Sequence, residues 1–187
     1  MSGIPWEQIP KKGIGKMKRV IATVMTAALI VAMLACSAGC SKSITKEWYK
    51  GALEYYSNGV KNGFTEKHGN LQVPKELEDK SIKCGYLLKD LDGDGVDELL
   101  IGIMDNASET KFTNVVVRHS DLGPYCLLGG SDGHYIYLCN DNVIYMKNEF
   151  VTADYTDYMR WQPKSNSFLH IEGEGKYLPM KWELTAF

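Results

Sequence analysis

The sequence of 187 residues is long enough for one domain with a buried core, and its formal net charge is −2. Residues 1–39 hold five of the 21 basic residues and one of the 23 acidic residues, which leaves residues 40–187 with a formal charge of −6. The phosphates of nucleic acids repel such an acidic chain, so we expect no nucleic-acid partner.

The first 39 residues divide into an extension and an apolar segment. Residues 1–16 contain two prolines and three glycines without apolar periodicity, which predicts a disordered extension upstream of the true start. From Met17, two basic residues precede the fifteen-residue apolar run Val20–Leu34, and small residues follow it. This order, over residues 17–39, is typical of a secretory signal peptide. The run is shorter than the ~20 apolar residues that a membrane-spanning helix needs.

A cysteine follows the small residues, and this arrangement resembles the lipobox of bacterial lipoproteins, where the cysteine is lipidated and becomes the mature N-terminus. Cys40 follows Ser37, Ala38 and Gly39, whereas Cys36 follows a bulky leucine and an alanine. We favour Cys40 because signal cleavage needs small residues beside the cut bond. The resemblance implies a lipid anchor at Cys40 that holds the chain to the outside of the cell membrane. The alternatives, an uncleaved anchor or an ordinary secretory signal, would also export the chain.

A polar tether, residues 40–43, leads into a single extracytoplasmic domain, residues 44–187. We predict a first helix over Ile44–Val60, which Gly59 weakens at its end. Aromatic and apolar residues recur there at three- and four-residue steps, as on one face of a helix: Trp48, Ala52, Tyr55, Tyr56 and Val60. A second short helix is predicted over Pro74–Lys80, with the proline in its first turn.

The most informative stretch carries carboxylates at Asp90, Asp92, Asp94 and Glu98, with a glycine at position 95. Calcium takes 6–8 oxygen ligands, so a tight loop with an acid at every second residue can turn its side chains onto one ion. The glycine permits the sharp turn because it has no Cβ. An acidic hairpin turn without metal is the alternative, but so many acids in nine residues repel one another unless a cation neutralises them.

This stretch differs from an EF-hand, which has a bidentate Glu at its twelfth position and a helix on each side. The twelfth residue from Asp90 is Ile101, and the flanks, Cys84–Lys89 and Leu99–Met104, are short apolar runs that predict a strand–loop–strand hairpin. In this form the stretch resembles the calcium loops of FG-GAP repeats, over about twenty residues. The resemblance implies no catalysis. It implies one Ca²⁺ held by Asp90, Asp92, Asp94, the Val96 carbonyl and Glu98.

Downstream of this loop, apolar and β-branched runs alternate with turns rich in Gly, Asp, Asn or Ser, which predicts antiparallel strands. The predicted strands are Phe112–Val117, Tyr125–Leu128, His134–Cys139, Val143–Met146, Tyr155–Trp161 and Phe168–Ile171. The predicted fold class is therefore α+β, with an N-terminal helix packed on an antiparallel β-meander that forms a single sheet or a half-barrel. The chain has too few strands for a propeller, which needs several four-stranded blades.

No catalytic group stands out. Ser131, Asp132 and His134 are the residue types of a hydrolytic triad, but they share one glycine-rich turn, whereas a triad needs side chains from separate elements. The stretch His119–Asp121 fails for the same reason. No two histidines have the His-x-x-x-His spacing that would support a zinc site.

Three cysteines follow the lipobox: Cys84, Cys126 and Cys139. An exported chain can keep disulfides, and Cys126 and Cys139 lie on consecutive predicted strands, so these two could pair and leave Cys84 free. Three buried reduced thiols are the equal alternative, because sequence alone does not settle connectivity. A cysteine nucleophile is a third and weaker option.

Together these features favour a lipid-anchored, extracytoplasmic, non-catalytic domain with one structural calcium. A sheet face or the aromatic-rich C-terminal region would bind a protein or a glycan. The aromatic residues there could equally belong to the core: Tyr155, Tyr158, Trp161, Tyr177 and Trp182. The alternative function is an exported hydrolase whose site the sequence does not identify.

Overall fold

The computed structural model describes residues 46–119, 122–130, 134–148, 156–162, 164–165, 167–173 and 175–187. The signal peptide, the tether and both lipobox candidates, Cys36 and Cys40, lie outside these ranges. Within them, no helix is both long enough and apolar enough to cross a membrane.

The first helix, α1, spans Lys50–Asn62. The helix predicted over Ile44–Val60 is therefore present, but a turn at Tyr49 interrupts it. Gly59 does not end the helix as expected. It is buried, and because it lacks a side chain the ring of Phe64 packs directly against it, so the helix continues to Asn62.

The second helix, α2, spans only Lys75–Glu78, within the predicted range Pro74–Lys80. Pro74 lies immediately before its first residue, where the fixed φ of proline suits a helix start. Asp79 Oδ1 then accepts hydrogen bonds from the backbone N–H and the hydroxyl of Ser81, at 2.8 and 2.7 Å. This local turn competes with further helix and ends α2 after one turn.

Nine antiparallel strands form one open sheet in the described part of the chain. They are β1 Cys84–Lys89, β2 Glu98–Ile103, β3 Lys111–His119, β4 Gly123–Gly129, β5 His134–Leu138, β6 Ile144–Asn148, β7 Thr156–Gln162, β8 Ser167–His170 and β9 Thr185–Ala186. Their order is β8-β7-β6-β5-β3-β2-β1-β9, and β4 also pairs with β3. The predicted antiparallel meander is confirmed, whereas the two-residue β9, which pairs with β1, is not predicted by the sequence.

The sheet buries both faces. Side chains alternate along a strand, so Leu99 and Ile101 point to one face and Leu100 to the other. The helix-side core joins α1 and α2 to β1–β4 and contains Tyr49, Ala52, Tyr56, Leu71, Leu77, Cys84, Leu99, Ile101, Val116 and Cys126. The distal core lies on the opposite face and contains Leu91, Leu100, Phe112, Val115, Val117, Ile136, Leu138, Ile144, Met159 and Trp161. The single helix layer on a β-rich sheet is consistent with the α+β class.

Candidate metal centre

The predicted strand–loop–strand hairpin is present. β1 and β2 pair in register from Cys84 opposite Ile103 to Lys89 opposite Glu98, and residues 90–97, here called the acidic loop, connect them. The pairing of Lys89 with Glu98 fixes both ends of the acidic loop, so the backbone positions of its aspartates are defined.

Three aspartates converge within the acidic loop. One carboxylate oxygen from each of Asp90, Asp92 and Asp94 lies within 4.8 Å of the others, and no other group of three potential ligands of this kind occurs in the described residues. Asp90 and Asp92 are half-buried and Asp94 is exposed. Three like charges at this separation repel one another, so a cation among them would lower the free energy of the loop. The geometry fits a metal ion and does not identify which metal.

Hydrogen bonds to the loop's own backbone hold these carboxylates in place. Asp90 accepts from the N–H groups of Gly93 and Gly95, at 2.7 and 2.9 Å. Asp92 Oδ1 accepts from the Asp94 N–H at 2.9 Å, and Asp94 Oδ1 accepts from the Val96 N–H at 2.7 Å. Gly93 and Gly95 have φ values of 83° and 87°, where any other residue would be strained. The loop is therefore shaped before a ligand binds.

One oxygen of the group is left without a partner. Asp92 Oδ2 is buried and makes no hydrogen bond to any described residue. Burial raises the pKa of the Asp92 carboxyl, and the charges of Asp94 and Asp90 raise it further. A buried acceptor without a donor costs free energy, so this oxygen marks the place where a cation would stabilise the loop most.

Glu98 lies beside this group but not within it. Only 5% of Glu98 is exposed, and its Oε2 accepts a hydrogen bond from the Leu91 N–H at 2.9 Å. Burial raises the pKa of Glu98 to about 8, and the charges of Asp92, Asp94 and Asp90 contribute. The structure therefore brings together three of the four predicted carboxylates, and the roles of Glu98 and of the Val96 carbonyl as ligands stay predictions.

The acidic loop is attached to the rest of the fold at two points. Leu91 is 5% exposed and belongs to the distal core, which also contains Trp161. The side-chain amide of Asn142 donates to the Asp90 carbonyl oxygen at 2.8 Å. Asn142 and Asp141 lie in a 3-10 turn between β5 and β6 and have φ values of 55° and 56°.

Residues 140–142 lie between the predicted strands His134–Cys139 and Val143–Met146, and their composition is typical of a turn, but the sequence does not predict the contact of Asn142 with the acidic loop. Asn and Asp tolerate a positive φ better than other side chains, so the composition favours this turn. Nothing in the sequence indicates that its amide reaches a carbonyl 52 residues earlier.

Both candidate triads lie mostly outside the described residues. Ser131, Asp132, Ser120 and Asp121 lie outside the described residues, and His134 is an exposed residue at the start of β5. A His–Asp pair does occur elsewhere: His170 Nδ1 lies 2.7 Å from Asp157 Oδ2, on neighbouring strands. The side chain of His170 is 69% exposed, which suits a surface ion pair.

Cys84, Cys126 and Cys139 are free and buried, so of the two equal alternatives the structure supports three buried thiols and not a bond between Cys126 and Cys139. Cys126 belongs to the helix-side core with Cys84, whereas Cys139 packs with Val143 and Tyr177 in a separate cluster. Burial raises the pKa of Cys84 to about 11 and of Cys139 to about 12. Such thiols are poor nucleophiles at neutral pH, because the thiolate is the reactive form.

The C-terminal aromatic residues serve mainly as packing groups. Trp161 is 7% exposed in the distal core, and Tyr177 is 6% exposed in the cluster with Cys139. The indole N–H of Trp182 donates to the Leu138 carbonyl at 2.9 Å, so its polar atom is satisfied inside the fold. Tyr158 stacks on Tyr145 with ring centroids 4.9 Å apart. Tyr155 lies outside the described residues.

The chain matches no known family model, no curated protein and no solved structure. A fold supports many functions, so the function of this chain is inferred from the chemistry of its site.

Proposed function

We propose that this chain is a lipid-anchored extracytoplasmic lipoprotein whose domain binds a partner without catalysis, and that its acidic loop holds one structural calcium ion. The observation that supports the metal most strongly is the buried Oδ2 of Asp92, which has no hydrogen-bond partner among the described residues and belongs to a carboxylate that converges with those of Asp90 and Asp94. A cation there would supply the missing partner and remove the repulsion among three aspartates.

Calcium is the metal that suits these ligands best. The converging atoms are all carboxylate oxygens, which hard cations prefer, and the group contains no histidine or cysteine. Magnesium demands near-ideal octahedral geometry and gives up water reluctantly, whereas calcium accepts the flexible geometry of a short loop.

The ion's role would be structural. The acidic loop carries Leu91 into the distal core and receives the amide of Asn142, so an ion that fixes the loop also fixes one end of the sheet. A hairpin held in this way would keep its exposed side chains in a constant arrangement for a partner. The buried thiols with raised pKa values fit a binding domain better than a cysteine hydrolase.

Calorimetric titration of the full chain, purified in detergent, tests the calcium site. We expect one calcium per chain and weaker binding of magnesium. Asp92→Ala should abolish the binding, whereas Asp97→Ala, which changes an acid outside the converging group, should retain it. Equal loss of binding in both variants, or no calcium binding by the unaltered chain, would refute the site.

The anchor rests on the sequence of residues 17–40 and is tested separately. Expressed from Met17 in a bacterium that processes lipoproteins, the protein should fractionate with membranes, and Cys40→Ala should release it or block its maturation. If Cys36→Ala has this effect and Cys40→Ala does not, Cys36 is the lipidated residue. If neither change matters, the chain carries no lipid anchor.

A further inference from the structure

Two positively charged side chains converge on Tyr177, in the segment between β8 and β9. The guanidinium of Arg160, on β7, donates a hydrogen bond to the Tyr177 phenol oxygen at 3.5 Å. The guanidinium carbon lies 5.7 Å from the centre of the Tyr177 ring, and the Lys176 ammonium lies 5.0 Å from it. In every other cation–π contact among the described residues, a single cation lies over the ring. Like charges gathered in this way repel each other, so an anion between them would lower the free energy.

Among the described residues, no carboxylate neutralises these two cations. Arg160 and Lys176 are both exposed, and neither forms an ion pair with a described acid. Their hydrogen bonds hold the pKa of the Tyr177 phenol below its ordinary value, with Arg160 the larger cause. Residues 40–187 carry a formal charge of −6, so two uncompensated cations at one point are a local exception. An anionic ligand would be the partner that the described residues do not supply.

The backbone around this pair is held in place by a tight turn. The N–H groups of Lys176 and Tyr177 both donate to the Gly173 carbonyl, at 2.9 and 3.4 Å. Gly173 packs so closely on Tyr158 that a Cβ there would lie 2.5 Å from its ring. Tyr177 is only 6% exposed, so its ring is fixed within the fold. The phenol and the start of the lysine side chain therefore have defined positions before a ligand binds.

There is room for a ligand beside the pair. Lys176 lines a cleft of about 520 Å³, together with Thr156 and Tyr158. This volume lies within the range of small-molecule binding sites. Asp157 and Glu172 lie on the walls of the same cleft and would repel further negative charge. The part of a ligand that extends into the cleft should therefore be neutral.

The charge and the donors of this site suit a phosphate monoester better than a carboxylate. A phosphate monoester carries about −1.5 to −2 charges at pH 7, which matches two cations, whereas a carboxylate carries only one. The guanidinium fork of Arg160 suits phosphate oxygens, and Lys176 adds a point charge. The phenol of Tyr177 can rotate its O–H to donate as a third group. Three donors from separate side chains fit an anion whose oxygens point in several directions.

We propose that Arg160, Lys176 and Tyr177 form a binding site for the phosphate group of a small phosphate monoester, whose neutral part lies in the adjoining cleft. The site shares no residue with the acidic loop, so it goes beyond the calcium site and does not depend on it.

The test is a nuclear magnetic resonance titration of the full isotope-labelled chain, purified in detergent and in chelator, with glycerol 3-phosphate. We expect saturable shifts of the backbone amides of residues 173–177. Arg160→Met and Lys176→Met should each weaken binding roughly tenfold or more, as expected for loss of a charged hydrogen bond. The matched control is Arg118→Met. Arg118 is an exposed arginine 3.6 Å from the centre of the Trp48 ring, and its loss should leave the affinity unchanged.

Each outcome decides for or against the site. If residues 173–177 show no saturable shifts, or if Arg118→Met weakens binding as much as Arg160→Met, the inference is overturned. If glycerate, which carries a carboxylate in place of the phosphate, binds as tightly, the assignment to phosphate is overturned. If glycerophosphoglycerol, the diester headgroup of an anionic lipid, binds as tightly, the assignment to a monoester is overturned. Because the titration is done in chelator, the absence of calcium binding would overturn only the proposed function.

Discussion

Replacing Asp92 by asparagine should change stability in opposite directions with and without calcium. Asparagine keeps an oxygen for the hydrogen bond from the Asp94 N–H but removes the charge and the buried oxygen that has no hydrogen-bond partner among the described residues. Burying an unsatisfied polar group costs ~1–3 kcal/mol. We therefore expect Asp92→Asn to stabilise the chelator-treated protein by about 1 kcal/mol, at the lower end of that range, because Asp92 is only half-buried.

In saturating calcium the unaltered protein should instead be more stable than Asp92→Asn. An ion that binds only the folded state stabilises it by about 2.7 kcal/mol at a hundred times the dissociation constant. For a domain of about 150 residues each kcal/mol shifts the melting temperature by roughly 2–4 °C. The unaltered protein should then gain roughly 5–10 °C from calcium, and Asp92→Asn should gain almost nothing.

Differential scanning calorimetry of both proteins, each in chelator and in saturating calcium, measures the four melting temperatures. Asp97→Ala serves as the matched control, because Asp97 is an acid of the same loop outside the converging group, and it should keep the calcium response. An Asp92→Asn protein that melts lower than the unaltered protein in chelator and still gains the full calcium shift would exclude Asp92 as a calcium ligand.

Three further predictions concern the surroundings of the acidic loop and the buried thiols. Asn142→Ala removes the hydrogen bond to the Asp90 carbonyl and places alanine at a positive φ, which alanine tolerates less well than asparagine. The free energy of unfolding should fall by about 2 kcal/mol, and the melting temperature by roughly 4–8 °C. Thermal melts in chelator measure this change, and an unchanged melting temperature contradicts it. The pKa of Glu98 is raised in the folded state, so the folded protein binds more protons, and its stability in chelator should fall as the pH rises from about 4.5 towards about 8. Glu98→Gln should remove most of this slope in urea titrations, and Asp92, whose pKa is also raised, accounts for what remains. Cys84, Cys126 and Cys139 should react slowly with a thiol reagent in the native protein at pH 8 and rapidly in denaturant, and a fast native reaction would show that they are not buried.

Local patterns account for most of the sheet. Strands β1 to β8 were predictable because apolar and β-branched residues alternate with turn residues, and each pairing is antiparallel between neighbours in the chain or nearly so. The β1–β2 hairpin was predictable in the same way, from two apolar runs around an acidic turn. The three aspartates converge as expected because acids at alternate positions of a tight loop turn inward.

What the sequence did not predict depends on contacts between distant segments. β9 pairs with β1 across almost the whole domain, and Phe187 packs beside it on the rings of Tyr56 and Tyr86. α1 continues through Gly59, where the ring of Phe64 packs, although glycine usually weakens a helix. Glu98 turns inward to the Leu91 N–H because it is the first residue of a buried strand, which its position in the acidic motif does not reveal.

The most direct test of the calcium site is a crystal structure of the protein grown in calcium, with anomalous scattering to identify the ion. We expect one calcium in the acidic loop, bonded to oxygens of Asp90, Asp92 and Asp94 at about 2.3–2.6 Å. A loop that stays empty at saturating calcium, or a calcium bound elsewhere while the three aspartates remain without it, would contradict the proposed site.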